Sequence, residues 1–93
     1  MNPPSLADEM RARLGVLAPT AVAIDDESAL HAGHAGAASG GGHFRLALTS
    51  AAFAGHATVA RHRMVYAALG DLMRGRIHAL AIQARAPGEP GAA

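Results

Sequence analysis

Between Ser28 and Gly42 the chain reads Ser-Ala-Leu-His-Ala-Gly-His-Ala-Gly-Ala-Ala-Ser-Gly-Gly-Gly, a run in which Leu30 is the one aliphatic side chain larger than alanine. Glycine loses more backbone freedom on ordering than any other residue, so regular structure is disfavoured there. In a chain of 93 residues this leaves two arms to share one core, and one domain follows. A structureless stretch this long inside a compact domain is either functional or disordered. Residues 28–42 are therefore expected as a flexible loop that carries His31 and His34.

The first arm opens with Pro3-Pro4, which cannot extend a helix backwards, so residues 1–4 are expected as a disordered lead-in. Ser5 fits an N-cap, with Asp8 three residues on as a weak capping box. Leu6, Met10, Leu14 and Leu17 recur at helical spacing, Gly15 suits a C-cap, and Pro19 forbids much continuation. Ala21 to Asp26 reads as a short strand with Val22 and Ile24 on one face, stopped by the acidic Asp25-Asp26-Glu27. The second arm begins with clean alternation from His43 to Thr49. Phe44, Leu46 and Leu48 face one way, Arg45 and Thr49 the other. Ser50 caps a short turn through Phe53, which Gly55 ends. A longer helix is predicted over 58–74, with Val65, Leu69, Leu72 and Met73 inward and His62 extending that stripe one turn earlier. After Gly75, Ile77 to Arg85 forms the last strand, with Leu80 and Ile82 inward. The Pro/Gly-rich residues 87–93 read as a solvated, disordered tail, which bounds the domain at 5–86.

The first two strands should pair antiparallel. The helix between the second and third is a crossover, so the third strand runs parallel to one of the others. Helices then cover one face of a three-stranded mixed sheet, a two-layer α+β domain. A formal net charge of +1 with 16% charged residues excludes a charged disordered tail and gives no general nucleic-acid signature. All eight cations are arginine, however, and four lie between Arg61 and Arg76. The absence of cysteine excludes a disulfide scaffold, a thiol nucleophile and an iron–sulfur site built on the chain's own thiolates. No run approaches the length of a membrane span and no signal pattern opens the chain, so a soluble cytoplasmic protein is expected, with no membrane partner. Neither G-x-S-x-G nor H-E-x-x-H occurs, and the chain is expected not to be an enzyme.

Six histidines are the unusual count: His31, His34, His43, His56, His62 and His78. Imidazole is both a metal ligand and a group titrating near neutral pH. His31 and His34 are either solvated loop residues or ligands awaiting a partner group. His43 opens a strand opposite Phe44 and reads as a surface residue; His56 follows a glycine in a turn and has no assigned role. His62 lies between Arg61 and Arg63 and shares a side with Val65 and Leu69, which suits a partly buried structural histidine. Arg61 and Arg63 point elsewhere and can meet phosphate or a partner's carboxylates. His78 has the parity of Leu80 and Ile82, which places it on the inner face at the sheet rim. It is either a buried capping residue or a ligand facing the histidine loop. Gly33-His-Ala-Gly36 matches the letters of the KH-domain backbone clamp, but it follows a strand, whereas that clamp joins two helices.

Read together, several segments resemble the BolA family. They are Asp26-Glu-Ser-Ala-Leu-His31, His43-Phe44, Ser50-Ala-Ala-Phe-Ala-Gly55, Val59-Ala-Arg-His-Arg-Met-Val-Tyr66 and Ile77-His-Ala-Leu-Ala-Ile82, spread over residues 5–87. The resemblance implies a class II KH-like fold, α-β-β-α-α-β, in agreement with the order read above. It implies a cytosolic monothiol glutaredoxin with its glutathione as partner, and a [2Fe–2S] cluster held between the two proteins. The histidine of the Ile-His-Ala-Leu segment, a cluster ligand in the family, maps to His78. A second ligand, from the loop after the first strand, maps to His31, and His34 can substitute for it. With no cysteine here, the thiolates come from the partner and no cluster is held by this chain alone. Ligation requires neutral imidazole, so it weakens as pH falls through the ordinary histidine range near ~6.5.

The leading expectation is thus a non-enzymatic adaptor in iron–sulfur trafficking or iron sensing, with Arg61 and Arg63 on the partner-facing helix. The alternative, also implied by the family, is a DNA-binding transcriptional regulator of cell shape and stress response, using Arg61, Arg63, Arg74 and Arg76 against phosphate. A zinc site from His31, His34 and His43 lacks a fourth ligand. Weak homodimerisation stays open, as does whether a cluster is delivered, stored or sensed.

Overall fold

Ser5 starts the first helix, α1 (Leu6–Leu14), by a reciprocal capping box. The Asp8 amide donates to Ser5 Oγ at 3.1 Å and the Ser5 amide to Asp8 Oδ2 at 3.1 Å. The computed structural model describes residues 3–28 and 42–93. After α1 a 3-10 turn, Gly15–Leu17, leads through a left-handed Ala18 to β1 (Ala21–Asp26). The next elements are β2 (Gly42–Thr49), a 3-10 turn at Ala51–Phe53, α2 (Thr58–Leu69), a 3-10 turn at Gly70–Met73, and β3 (Ile77–Arg85). The order is the one expected, with the short middle helix reduced to a single turn. The helix predicted over 58–74 stops at Leu69 because Gly70, at φ 57, takes a backbone conformation that breaks the helical ladder.

The sheet order is β1-β2-β3, with β1 antiparallel and β3 parallel to the central strand. Two helices on one face of a three-stranded mixed sheet make this an α+β domain. Alternation dictates the layers. Phe44, Leu46, Leu48 and Ala84 are buried inward with Leu80 and Ile82 beside them, and Met10, Leu14, Phe53, Val65, Leu69 and Leu72 close over them. Ser50 ties the layers together: its Oγ donates to the Leu17 carbonyl at 2.5 Å and accepts from the Ala52 amide at 3.1 Å.

Three expectations need correction. His78 does not face inward. The β2–β3 register runs Gly42↔Ile77 and then His43↔Ala79, so His78 is an extra residue without a cross-strand partner. That slip sends Ile77 into the core and leaves His78 exposed. Arg61, expected on the surface, is 9% exposed and joins the buried stripe ahead of Val65, while His62, expected to be partly buried, is half-buried. Residues 87–93, expected as a disordered tail, fold back on the domain. Glu89 accepts two hydrogen bonds from Arg61, the Arg85 guanidinium donates to the Pro90 carbonyl, and the Ala93 amide donates to Thr49 Oγ1. Among the described residues no helix is long and apolar enough to cross a membrane.

Candidate functional site

The adjoining starts of β2 and β3 form a rim at one end of the sheet. The Gly42 amide donates to the Arg76 carbonyl at 3.0 Å, joining the two strands where they begin. The end of β1 is fastened to the same place. The Glu27 amide donates to the His43 carbonyl at 2.8 Å, and the His43 amide donates to Ser28 Oγ at 3.1 Å. Ser28 in turn donates its amide to Asp26 Oδ1 at 2.9 Å. Hydrogen bonds from the Ser28 hydroxyl and amide hold the Asp26 carboxyl below its ordinary range. Arg76 braces the rim from below through a two-pronged pair with Glu9 at 3.0 and 2.8 Å.

On this rim His78 is exposed at the register slip and His43 is half-buried beside it, with ring centroids 5.1 Å apart and planes tilted by 39°. Sequence reasoning missed His43 as a neighbour of His78. The signal was available: a parallel pairing that aligns Phe44 with Leu80 sets the two strand starts side by side. His31, His34 and the Gly33–Gly36 match lie outside the described residues, so the structure does not place the expected ligand pair together. It does fix both ends of that segment, Ser28 and Gly42, on the rim that carries His78.

Chemically the rim offers imidazole and no thiolate. Among the described residues no group of three or more His, Cys, Asp or Glu side chains can hold a metal ion.

The arginines divide differently from expectation. Arg61 cannot serve as a surface contact as folded. Its guanidinium grips Glu89 at 2.6 and 2.8 Å and donates to the carbonyls of His56 at 2.7 Å and Ala84 at 3.1 Å. That grip, with a further hydrogen bond from the Ala86 amide, pulls the Glu89 carboxyl down to about 2. Arg63 is exposed, and so is Arg74. Glu89 is the second residue that sequence reasoning missed, hidden in a Pro/Gly-rich stretch whose composition reads as solvated.

Comparison with known proteins agrees with this architecture. The family profile for BolA-like protein matches residues 15–89. Human BolA-like protein 1 is 42% identical over 73 residues, 78% of this chain and 51% of that protein. The chain spans about half the length of the curated BolA-like protein 1 relatives it matches. The structure of BolA1 from Arabidopsis thaliana superposes with a TM-score of 0.78 at 33% identity, covering 94% of this chain and 98% of that one. The BolA domain of SufE1 from the same plant gives 0.77 at 36% identity, covering 92% and 96%. The fold, the match over most of the chain and these relatives establish that the chain belongs to the BolA-like protein family.

Proposed function

We propose that this chain is a non-catalytic adaptor that binds a monothiol glutaredoxin, with its glutathione, around a shared [2Fe–2S] cluster. The observation that carries the reading is the exposed His78 at the register slip, on the rim to which Ser28 and Gly42 are fastened. His31 lies three residues past Ser28, a reach of at most about 11 Å. His78 and His31, or His34 in its place, are the proposed ligands, and the partner supplies the thiolates. If both imidazoles bound one iron and thiolates the other, the reduction potential would lie above that of an all-thiolate centre. Likeness to a domain named as part of SufE1 supports a binding module over a free-standing catalyst. The nucleic-acid alternative loses two of its four arginines, Arg61 to Glu89 and Arg76 to Glu9.

The test follows the visible absorption and circular dichroism of a cluster-loaded monothiol glutaredoxin as this protein is added. The natural sequence should change the spectrum, His78→Ala should abolish the change, and His31→Ala should weaken it. No spectral change with the natural sequence, or an unaltered change with His78→Ala, overturns the proposal.

A further inference from the structure

The sheet ends in two outer strands that are guarded unequally. β1 is six residues long, carries Asp25 and Asp26, and accepts a hydrogen bond from the Arg11 guanidinium on its Val22 carbonyl at 3.2 Å. Charges and side chains laid along an edge are a usual means of blocking strand addition. β3 is nine residues long and holds no aspartate, glutamate, lysine or arginine before its last position, Arg85. Its peptide groups point alternately to the two sides of the strand. The Arg85 carbonyl accepts from the Ser50 amide and so faces β2, whereas the Ala84 carbonyl accepts from Arg61 and so faces outward. Leu80 and Ile82 share the parity of Ala84, which turns their amides and carbonyls to the open edge. Among the described residues no hydrogen bond reaches them there. Their side chains are also incompletely covered: Leu80 and Ile82 are only partly buried, while Leu46 and Leu48 on the central strand are 0% and 2% exposed.

We propose that β3 is a self-association edge, on which β3 of a second copy pairs antiparallel about a twofold axis. A strand that meets its own copy across a closed twofold runs antiparallel to it. The free backbone groups fix the register. Arg61 holds the Ala84 carbonyl and the slip takes His78 out of regular pairing, so Leu80 and Ile82 remain, with Ala81 midway. An axis at Ala81 sets Leu80 of each copy opposite Ile82 of the other, and each such pair exchanges both of its N–H···O bonds. Ala81 then meets Ala81 in the close, non-hydrogen-bonded position, with Cα atoms ~4.5 Å apart, where small side chains fit. Ala79 lies opposite Gln83 on the same face, and the half-covered Leu80 and Ile82 close over each other on the core side. Arg85 falls opposite Ile77, so no like charges meet across the axis. A foreign strand offers the same backbone bonds, but this side-chain match follows from symmetry for a second copy. With so short a ladder the dimer is weak and concentration drives it. Neither a cluster nor another protein takes part, so the pairing stands apart from the adaptor reading.

Sedimentation equilibrium at chain concentrations up to about 1 mM, with amide hydrogen exchange on the same samples, tests this. The mass should rise toward that of a dimer, and the Leu80 and Ile82 amides should gain protection as it does. Ala81 is exposed, so Ala81→Lys and Ala81→Glu leave the core untouched. Each places like charges together at the axis and should weaken association about fivefold, and an equal mixture of the two should recover it. Ala23→Lys, on β1, should associate as the natural chain does. Thermal melts by circular dichroism confirm that each variant is folded. A natural chain that stays monomeric overturns the proposal. So does a dimer that both Ala81 variants form as readily as the natural chain, or one in which protection grows on β1 instead of at Leu80 and Ile82.

Discussion

Gly42 is the tightest position on the candidate rim. A Cβ built there would run into the edge of the Phe44 ring and come within 3.2 Å of the Arg76 carbonyl, the group that accepts the Gly42 amide. The ring is a buried core side chain and the carbonyl is backbone, so neither yields cheaply. Gly42→Ala should therefore cost about 1–3 kcal/mol, measured by urea unfolding. It should also loosen the His43–His78 approach, seen as changed ring proton shifts. A variant as stable as the natural chain would show that Phe44 has room to move. At this scale the sequence was only partly legible. The periodicity that marks Val65, Leu69 and Leu72 as buried points equally to Arg61, but residue type overrode spacing, because a guanidinium is rarely buried without a counter-ion. The counter-ion, Glu89, lies 28 positions away in sequence.

The elements themselves were largely legible. The alternation of β2, the Ser5 capping box and the crossover logic gave three strands, two main helices and their order, because each signal is local. What was not legible depends on how elements meet. The face on which His78 lies is decided by the slip between β2 and β3, since one extra residue reverses the parity of a strand start. The joint at Ser50 is of the same kind. Its cap on the Ala51–Phe53 turn is visible in the sequence, whereas its hydrogen bond to the Leu17 carbonyl, 33 positions away, is tertiary. Ser50 is 1% exposed. Ser50→Ala should leave that carbonyl without its partner and cost about 1–3 kcal/mol, seen as a lower midpoint in thermal unfolding. The helical signal of α1 should be retained, because the capping box that starts it is untouched. Loss of α1 helicity in the folded variant would instead make Ser50 essential to the helix itself.

Across the molecule β3 carries two different devices at its two ends. His78 lies where the strand begins, and the Arg61 clasp on Ala84 and Glu89 lies where it ends. Nine residues of strand span about 30 Å, so the clasp and the rim share no partner and should act additively. The clasp contributes to the response to acid. Glu89 sits in the folded chain at about 2, well below its ordinary 4.5, first because Arg61 hydrogen-bonds it and next because the Ala86 amide does. Glu9 and Asp71 are lowered as well, first by hydrogen bonds from Arg76 and Arg13 respectively. A carboxyl whose folded value is depressed contributes stability above its unfolded value and loses that contribution as pH falls through the folded one. Stability should therefore hold near neutral pH, begin to fall below about 4.5, and go on falling toward about 2. Glu89→Gln removes the charge and keeps the shape. It should lower the urea midpoint at pH 7, and its deficit should shrink across that acid window as Glu89 in the natural chain becomes protonated. The spectrum of the cluster-loaded glutaredoxin mixture should not change with this variant. A deficit that stayed constant with pH would assign the clasp to packing and not to charge. A variant that lost the spectral change would show that the two ends of β3 are coupled.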